Sequence, residues 1–530
     1  MESELGATRT TGYEGMKMTI SCKHLGPLSH FSHLRHLRPL AVATLALLVS
    51  GCVVGPDYHR PQVNVPATYA ELPGWTQAEP AAAGPKGEWW TAFNDPLIDQ
   101  LEPLVLVSNQ TVRQDYANYQ QALAEVRVAR ASLFPTIGVT GSSTKSRSAI
   151  GKAAKVVNSG SLEGDISWAP DLWGQVRRTI EENAATAQAS EATLANATLS
   201  EQVALATAII DLRTSDANID LLQKTVQAYQ HYLDVIGDQD KAGTIPPSDL
   251  ITARTQLESA QSSLIALGVA RAQDAHAIAV LVGKNPEELS IPHSTAMPTL
   301  PTVPVGVPST LLERRPDIAT AERQMAAQNA AIGVTVSAYY PTVSLSALSG
   351  FTQSPLSGLL HVSNYVWSLG GSATETIFDG GLRNADVDAA KAAYDATVAN
   401  YRGTVLTAFQ DVENDLSGLR ILAEQSVVLE SLVRDANRGA EIAFNEYQAG
   451  TVDYTTVATA QATQLSSQQT ALNVQQERLL DAASLFGDLG GGWAATDLHD
   501  PRHPQPSVTQ QATPAQTGDT STHNAAAKTQ

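Results

Sequence analysis

The residue whose chemistry is most legible is Cys52. It follows Val49-Ser50-Gly51, which close an apolar run beginning at Leu40, and Lys17, Lys23, Arg35 and Arg38 precede that run. A basic stretch, a short apolar run and small residues before a break form a secretory signal. Val49-Ser50-Gly51-Cys52 resembles a bacterial lipobox, with Cys52 as the lipidated first residue of the mature chain. Ordinary cleavage beside a chance cysteine is the plainer alternative. The run is too short to span a membrane, since ten helical residues cover about 15 Å, half a bilayer core. Val53 follows the cysteine; an Asp there would point to retention at the inner membrane, so the outer membrane is the expected destination. The leader is long, and Met16 or Met18 is an alternative start.

Other reactive constellations are missing from the sequence. It holds no His-Glu-x-x-His, no Walker loop and no Gly-x-Ser-x-Gly. His231, His276 and His361 are isolated, and His499 and His503 sit by a polar tail. Nothing gathers a nucleophile, a base and an orienting group, so no enzyme is expected. With only Cys22 and Cys52, a disulfide scaffold and a cysteine-rich zinc site are excluded. No cofactor is expected beyond the covalent lipid on Cys52.

Composition sets the frame for the elements. The 530 residues carry a net charge of −19 with no basic cluster, which excludes a nucleic-acid groove. Removing 1–51 takes away five basic and three acidic residues and leaves −21. Hydrophobic residues make up 43% of the chain, but aromatics only 5% and charged residues 16%. The apolar content therefore lies mainly in Ala, Val and Leu, which favours long helices with narrow seams.

The chain is written twice. Phe134-Pro135-Thr136 recurs as Tyr340-Pro341-Thr342, and Gly174 and Arg177 recur as Gly380 and Arg383, both displaced by 206. Ala242-Gly243-Thr244 recurs as Ala449-Gly450-Thr451, displaced by 207, and Leu281-Val282-Gly283 as Leu485-Phe486-Gly487, displaced by 204. Near-constant offsets mark two copies of one unit. Each copy reads as a helix (about 104–133 and 316–338), then two alternating strands (136–148 and 161–172; 342–352 and 364–378). A very long proline-free helix follows (176–242; 382–449), then a tight turn and a return helix ending near 282 and 486. The long helix spans about 100 Å, and the two shorter helices of a copy would nearly match it end to end. Ile219, Leu222, Val226, Tyr229, Leu233 and Ile236 step by threes and fours, as do Leu250, Ala253, Leu257, Ala260, Leu264 and Leu267. Copy two continues with Leu429, Leu432, Ala436, Gly439 and Ala443, then Leu465, Leu472 and Leu479. That period implies closely packed coiled-coil pairs. A plain helical hairpin would show the same seam.

The strands separate those readings. They are rich in Gly, Ser and Thr, with Trp168, Trp173, Tyr365 and Trp367 near their ends or faces, where interfacial aromatics would sit. Four strands cannot close a membrane barrel, and open edges in lipid cost several kcal/mol per unpaired backbone group. Chains would have to pool strands, two making eight and three making twelve. A soluble hairpin remains the alternative.

Longer motifs then carry a family resemblance. Cys52-Val53-Val54-Gly55-Pro56-Asp57-Tyr58-His59-Arg60-Pro61, Trp89-Trp90 with Phe93-Asn94-Asp95-Pro96-Leu97, and Leu312-Glu313-Arg314-Arg315-Pro316-Asp317-Ile318 with Ala321-Glu322-Arg323 are similar to RND-type outer-membrane efflux lipoproteins. Ile332-Gly333 and Tyr340-Pro341 extend the match, which runs from about Leu40 to Trp493. The family is the TolC-like outer membrane factors, NodT branch. The resemblance implies a mainly α fold with membrane β: a trimeric α/β-barrel of two repeats per chain, twelve strands in the outer membrane and twelve helices through the periplasm. It implies a passive exit duct in the cell outer membrane, extending into the periplasm. The implied partners are a periplasmic adaptor, an inner-membrane RND pump and outer-membrane lipid. An exit duct for secreted polypeptides and a non-conducting envelope coiled coil are the alternatives.

The resulting organisation is a signal peptide with lipobox (1–51), a lipidated extended segment (52–96), repeat 1 (97–283), a connector (284–310), repeat 2 (311–495) and a disordered tail (496–530). Asp95-Pro96 reads as an N-cap with proline at the first helical position, and Thr310 with Glu313 as a capping box. Arg314, Arg315 and Asp317 would fix the junction between copies. Prolines 298, 301, 304 and 308 suggest an extended connector. By the resemblance, Gly243, Thr244, Gly450 and Thr451 form the tips that meet the adaptor, though each Gly also serves to end a helix. The family often rings the mouth with acids after the copy-two turn, where this chain has Thr456 and Thr459. Asp249 and Asp453, with Asp238 and Asp240 nearby, would instead set a negative field at a mouth held by hydrogen bonds and packing; merely solvated tip charges are the alternative.

Overall fold

A computed structural model describes residues 53–71, 88–150, 153–303, 311–354 and 356–502. The chain divides into two units, 1–51 and 52–530. The signal, the lipobox with Cys52, the Thr310 cap, Pro304 and Pro308 lie outside the described residues, as does the chain after 502.

Two helices open the first repeat, α1 (Pro96–Ser108) and α2 (Gln110–Ala131). The sequence pattern suggested one helix over 104–133. The break falls at Asn109, whose backbone is extended and whose side-chain Oδ1 accepts from the Thr111 and Val112 amides, at 2.8 and 3.1 Å. A residue so engaged caps a new helix rather than continuing the old one. Asp95 caps α1 as expected, accepting from Leu97 N at 2.7 Å with Pro96 at the first position.

Strands β1 (Thr136–Ile150) and β2 (Ala153–Trp168) follow, then α3 (Gln175–Lys241) and α4 (Pro247–Leu281). The second repeat, after a helical turn at Leu311–Arg314, comprises α5 (Pro316–Ser337), β3 (Thr342–Gln353), β4 (Tyr365–Thr374), α6 (Leu382–Gln448) and α7 (Tyr454–Asp488). Helices α3 and α6 each have 67 residues and α4 and α7 each have 35, so the duplication holds in length. The N-cap of α6 is Gly381, one residue beyond the Gly380 expected from the offset; Gly174 caps α3. β2 starts eight residues before the expected 161, and β4 ends at 374 rather than 378.

The strands form one antiparallel sheet in the order β1-β2-β3-β4. Near the sheet α3 packs on α2 and α5, and further along it packs on α4 and α7. Helix α6 packs in turn on α5 and α7. Every layer is therefore a strip of four elements: β1-β2-β3-β4, α2-α3-α5-α6, and α4-α3-α7-α6. The main core lies where short helices meet long ones. Trp89 stacks on Phe486 (centroids 5.4 Å apart) and Phe93 is fully buried, with Leu205, Ile209, Ile318, Tyr401 and Leu416 in the same cluster. Arg213 of α3 donates to the buried Asp95 at 2.9 Å, tying α1 to the long helix.

The repeat junction is held as the charged motif suggested. Arg315 pairs with Asp317 at 2.8 Å, Asp488 at 3.0 Å and Asp411 at 3.6 Å, joining the start of α5 to α6 and to the end of α7. Residues 496–502, assigned from composition to a disordered tail, are instead docked. Gln188 donates to the His499 carbonyl, His499 N to Glu191, and Arg130 to the Pro501 carbonyl, at 3.0–3.1 Å. Three polar contacts offset the weak apolar content of this stretch.

Candidate functional site

Two regions can perform work: the tips of the long hairpins and the sheet with the segment that begins at its base. The tips are built twice in one way. Gly243 (φ +66°) and Gly450 (φ +72°) take the left-handed conformation, and Thr244 N and Thr451 N return to Gln239 O and Glu446 O, both at 3.0 Å. Each threonine hydroxyl donates to the same carbonyl, at 3.0 and 2.8 Å. This geometry terminates a helix and satisfies its last carbonyls. A Cβ on either glycine would meet open space, so backbone conformation and not crowding demands glycine. All four tip residues are exposed.

The mouth residues are brought near the tips but do different jobs. Asp453 is exposed and caps α7, accepting from Thr456 N at 3.0 Å and Thr456 Oγ1 at 2.9 Å. Thr459 is exposed and its hydroxyl donates to Thr455 O at 2.8 Å. Asp249 does not fit the alternative of a merely solvated tip charge: it is buried in the first turn of α4, with Ser248 Oγ at 3.4 Å. It lies beside Tyr447 and Tyr454 of the other hairpin, just after the Pro246-Pro247 entry to α4. Asp238 is paired with Lys241 at 2.9 Å.

The contacts that join the two hairpins leave no trace in residue type or spacing. Tyr447 Oη of α6 donates to Gln239 Oε1 of α3 at 2.8 Å, and Tyr454 Oη of α7 donates to Gln256 Oε1 of α4 at 3.1 Å. Gln256 Nε2 then donates to the Ala458 carbonyl at 3.0 Å. The tyrosine rings meet edge-on at 5.5 Å, and Tyr232 lies 4.4 Å from Phe444. Burial pushes both Tyr447 and Tyr454 hydroxyls above their ordinary range, so they stay protonated donors. Ile236, Ala253, Ala443 and Val457 complete an apolar knot around these bonds. The seam residues Ile236, Ala253, Leu257 and Ala260 pointed to a packed surface; nothing in their spacing identified the tyrosine–glutamine pairs.

Register divides the sheet into two faces. Ile137, Val139, Leu162, Ile166, Leu345, Ala347, Phe351, Tyr365, Trp367 and Leu369 share one. Thr136, Thr140, Glu163, Asp165, Ser167, Ser346, Ser368 and Ser372 share the other. Many of the apolar residues are exposed, Ile137 and Val139 to 76%. Apolar-out and polar-in alternation is the pattern of a membrane barrel wall. Trp168 stays at the base of the apolar face, its indole donating to Leu133 O at 3.0 Å. Trp173, expected among the interfacial aromatics, turns inward instead: it stacks on Tyr340 at 5.0 Å and donates to Pro341 O at 2.7 Å.

The described N-terminal segment begins at this base. Val54 N donates to Trp173 O at 3.1 Å, and Val53 lies against Gly174. Arg178, itself buried, donates to Val54 O and Gly55 O and pairs with Asp57 at 2.9 Å. Gly55 (φ +94°) presses on Gly333 so closely that a Cβ would come within 2.4 Å of the Gly333 Cα. The segment then crosses α5 through Tyr58–Glu322 at 2.5 Å and reaches α6 through Arg60–Tyr401 at 3.0 Å. Among the described residues no group of His, Cys, Asp and Glu has the arrangement of a metal site.

Comparison with known proteins agrees with this geometry. The outer membrane efflux protein model matches residues 101–284 and 307–491. The chain is 32% identical over 469 residues to the solvent efflux pump outer membrane protein SrpC of Pseudomonas putida, covering 85% of this chain and 97% of the relative. It is 30% identical over 462 residues to the probable efflux pump outer membrane protein TtgC of Pseudomonas putida strain KT2440, covering 86% and 95%. Among solved structures, the outer-membrane channel OprN superposes with a TM-score of 0.77 at 28% identity, covering 83% of this chain and all of that one. The open state of the Neisseria gonorrhoeae MtrE outer membrane channel gives 0.74 at 26% identity, covering 83% and 98%. Efflux channels, rather than polypeptide-secretion ducts or inert coiled coils, are thus what the fold and the sequence match. The protein is an outer-membrane efflux channel with the TolC-like fold, and the chain belongs to the outer membrane efflux protein family.

Proposed function

We propose that three copies of this chain close into the passive exit duct of a tripartite RND-type efflux pump, the energy coming from an inner-membrane pump through a periplasmic adaptor. The observation that carries this reading is that the same two flanks are open at every level. On one flank stand β1, α2 and α4, and on the other β4 and α6. Helix α4 has a mean hydropathy of 1.4 over its most apolar stretch, yet only 11% of that stretch is buried within the protomer. Ile251, Ile265 and Val269 are exposed on it, and Leu406, Val427 and Val428 are exposed on α6. A strip with two unlike open edges joins head to tail, and a ring is the closed solution. Three strips supply twelve strands, enough for a membrane barrel, whereas four leave unpaired edges in lipid.

In this assembly the polar face of the sheet lines the bore, and the exposed tips at Gly243, Thr244, Gly450 and Thr451 meet the adaptor. The tyrosine–glutamine bonds hold the mouth closed until the adaptor draws the hairpins apart; the similar MtrE channel has been solved in an open state. Val53 at the sheet base supports lipidation of Cys52, because a chain starting there places an acyl group at the membrane boundary without a linker. Relatives named for solvent and toluene efflux suggest small apolar compounds as cargo. The test is deletion of the gene followed by resistance profiling, with and without the cognate pump. Sensitivity to the same compounds in both single deletions, with no further loss in the double deletion, supports the duct. A phenotype independent of any pump contradicts it.

A further inference from the structure

The extended hairpin of β1 and β2 outgrows the rest of the sheet. Gln353, at the end of β3, pairs with Gly160, which pairs with Ser143. Beyond that level β1 pairs only with β2, as a two-stranded ribbon. The first side chains of this ribbon on the apolar side of the sheet are Lys145, opposite Asn158, and Arg147, opposite Val156. Both follow Ile137, Val139, Gly141 and Ser143 in alternation, so they face the same way as the lipid-facing residues. Below them the aromatic pair Phe351–Tyr365 stands level with Gly141 and Leu162, its rings 5.8 Å apart. Lys145 lies four residues beyond Gly141, about 13 Å along the strand.

Both cations are exposed, and neither is in an ion pair among the described residues. The acids of β2, Glu163 and Asp165, lie on the opposite face and closer to the base. No Asp or Glu occurs anywhere from Val126 to Leu162, in a chain with a net charge of −19. Positive charge is therefore concentrated, against the trend of the protein, on the outward side just above the apolar band. A face in that place meets headgroups, and a cationic face is complementary to anionic ones.

We propose that Lys145 and Arg147 form a docking surface for the phosphate-bearing headgroups of the outer leaflet, holding the barrel at a set depth. The inference rests on the outer-membrane duct reading. Arg147 can engage a phosphate through two parallel hydrogen bonds, and Lys145 acts beside it as a point charge. Asn158 and Val156 across the ribbon add no competing charge.

The experiment uses the full lipidated protein purified in a neutral detergent, with bis-phosphorylated lipid A as the probe and native mass spectrometry as the readout. The wild type is expected to bind the probe more tightly than the same lipid stripped of both phosphates, with affinity falling as salt rises. K145Q/R147Q is expected to weaken phosphorylated-lipid binding about 30-fold, while K145R/R147K keeps it within about threefold. Unchanged binding by K145Q/R147Q overturns the proposal, as does equal affinity for the stripped lipid. Inorganic pyrophosphate competing at the affinity of the lipid overturns it too, since that marks a small-anion site. The mass of the particle in the same spectra keeps the two readings apart: trimers that ignore the lipid phosphates refute the docking surface alone, whereas single chains refute the duct.

Discussion

Removing the two tyrosine hydroxyls that join the hairpins tests how the mouth is held. In Y447F/Y454F both rings remain, so the apolar knot of Ile236, Ala253, Ala443 and Val457 is retained. What is lost are the bonds to Gln239 and Gln256, of 2.8 and 3.1 Å. A neutral hydrogen bond contributes about 1 kcal/mol net. Gln239 and Gln256 are half-buried and can turn to water, so no large desolvation penalty is added. The closed state of each protomer then loses about 2 kcal/mol, close to a 30-fold shift toward separated hairpins. If all three protomers open together the effect multiplies, so 30-fold is the lower bound. The assay is single-channel recording in planar bilayers without adaptor, reading the fraction of time spent above the closed conductance. Y229F is the control: Tyr229 is buried in the adjoining cluster and makes no bond across the hairpins among the described residues. A double variant that conducts like the wild type at equal thermal stability refutes the reasoning, because the bonds would then contribute nothing to closure.

Other consequences concern the frame around the mouth. Glu102 is fully buried with both carboxyl oxygens unpartnered, and burial pushes it up to about 9. The folded protein therefore keeps a proton that the unfolded chain releases near pH 4.5, so stability falls as pH rises from there toward 9, by about 1.4 kcal/mol per unit. E102Q should flatten that slope in thermal melts between pH 6 and 8; an unchanged slope would show that the carboxyl is not the cause. F93A empties a fully buried site between Trp89 and Phe486 and should cost about 3–5 kcal/mol by denaturant unfolding. G333V would drive a side chain into Arg178, which holds the Val54 and Gly55 carbonyls. It should release the 53–60 segment, seen as faster amide exchange there and little change at the hairpin tips.

Much of the fold was legible because its rules are local. Proline-free runs between the repeated glycines mark α3 and α6, and Ala-Gly-Thr marks both turns, because a left-handed glycine closes a helix wherever it falls. Asp95 before Pro96 was readable as a cap for the same reason. The break at Asn109 was hidden because apolar spacing continues across it, and a cap is set by one side chain's hydrogen bonds. The early start of β2 lies in a stretch of Ala, Lys and Val without clean alternation. Long-range contacts left still less trace. Arg178 reaches back 121 residues to Asp57, and Tyr447 reaches back 208 to Gln239, and no spacing rule links such pairs. Asp249 read as a mouth acid because it clusters in sequence with the other turn acids, whereas its neighbours in space are the tyrosines of the other hairpin.

The central claim is that one chain is a third of a wall. The most direct measurement is the mass of the native particle in a mild detergent, taken together with its conductance in a planar bilayer. Three copies per particle, with discrete channel openings, are the predicted result. A monodisperse single chain that stays in solution without detergent and passes no current would contradict it.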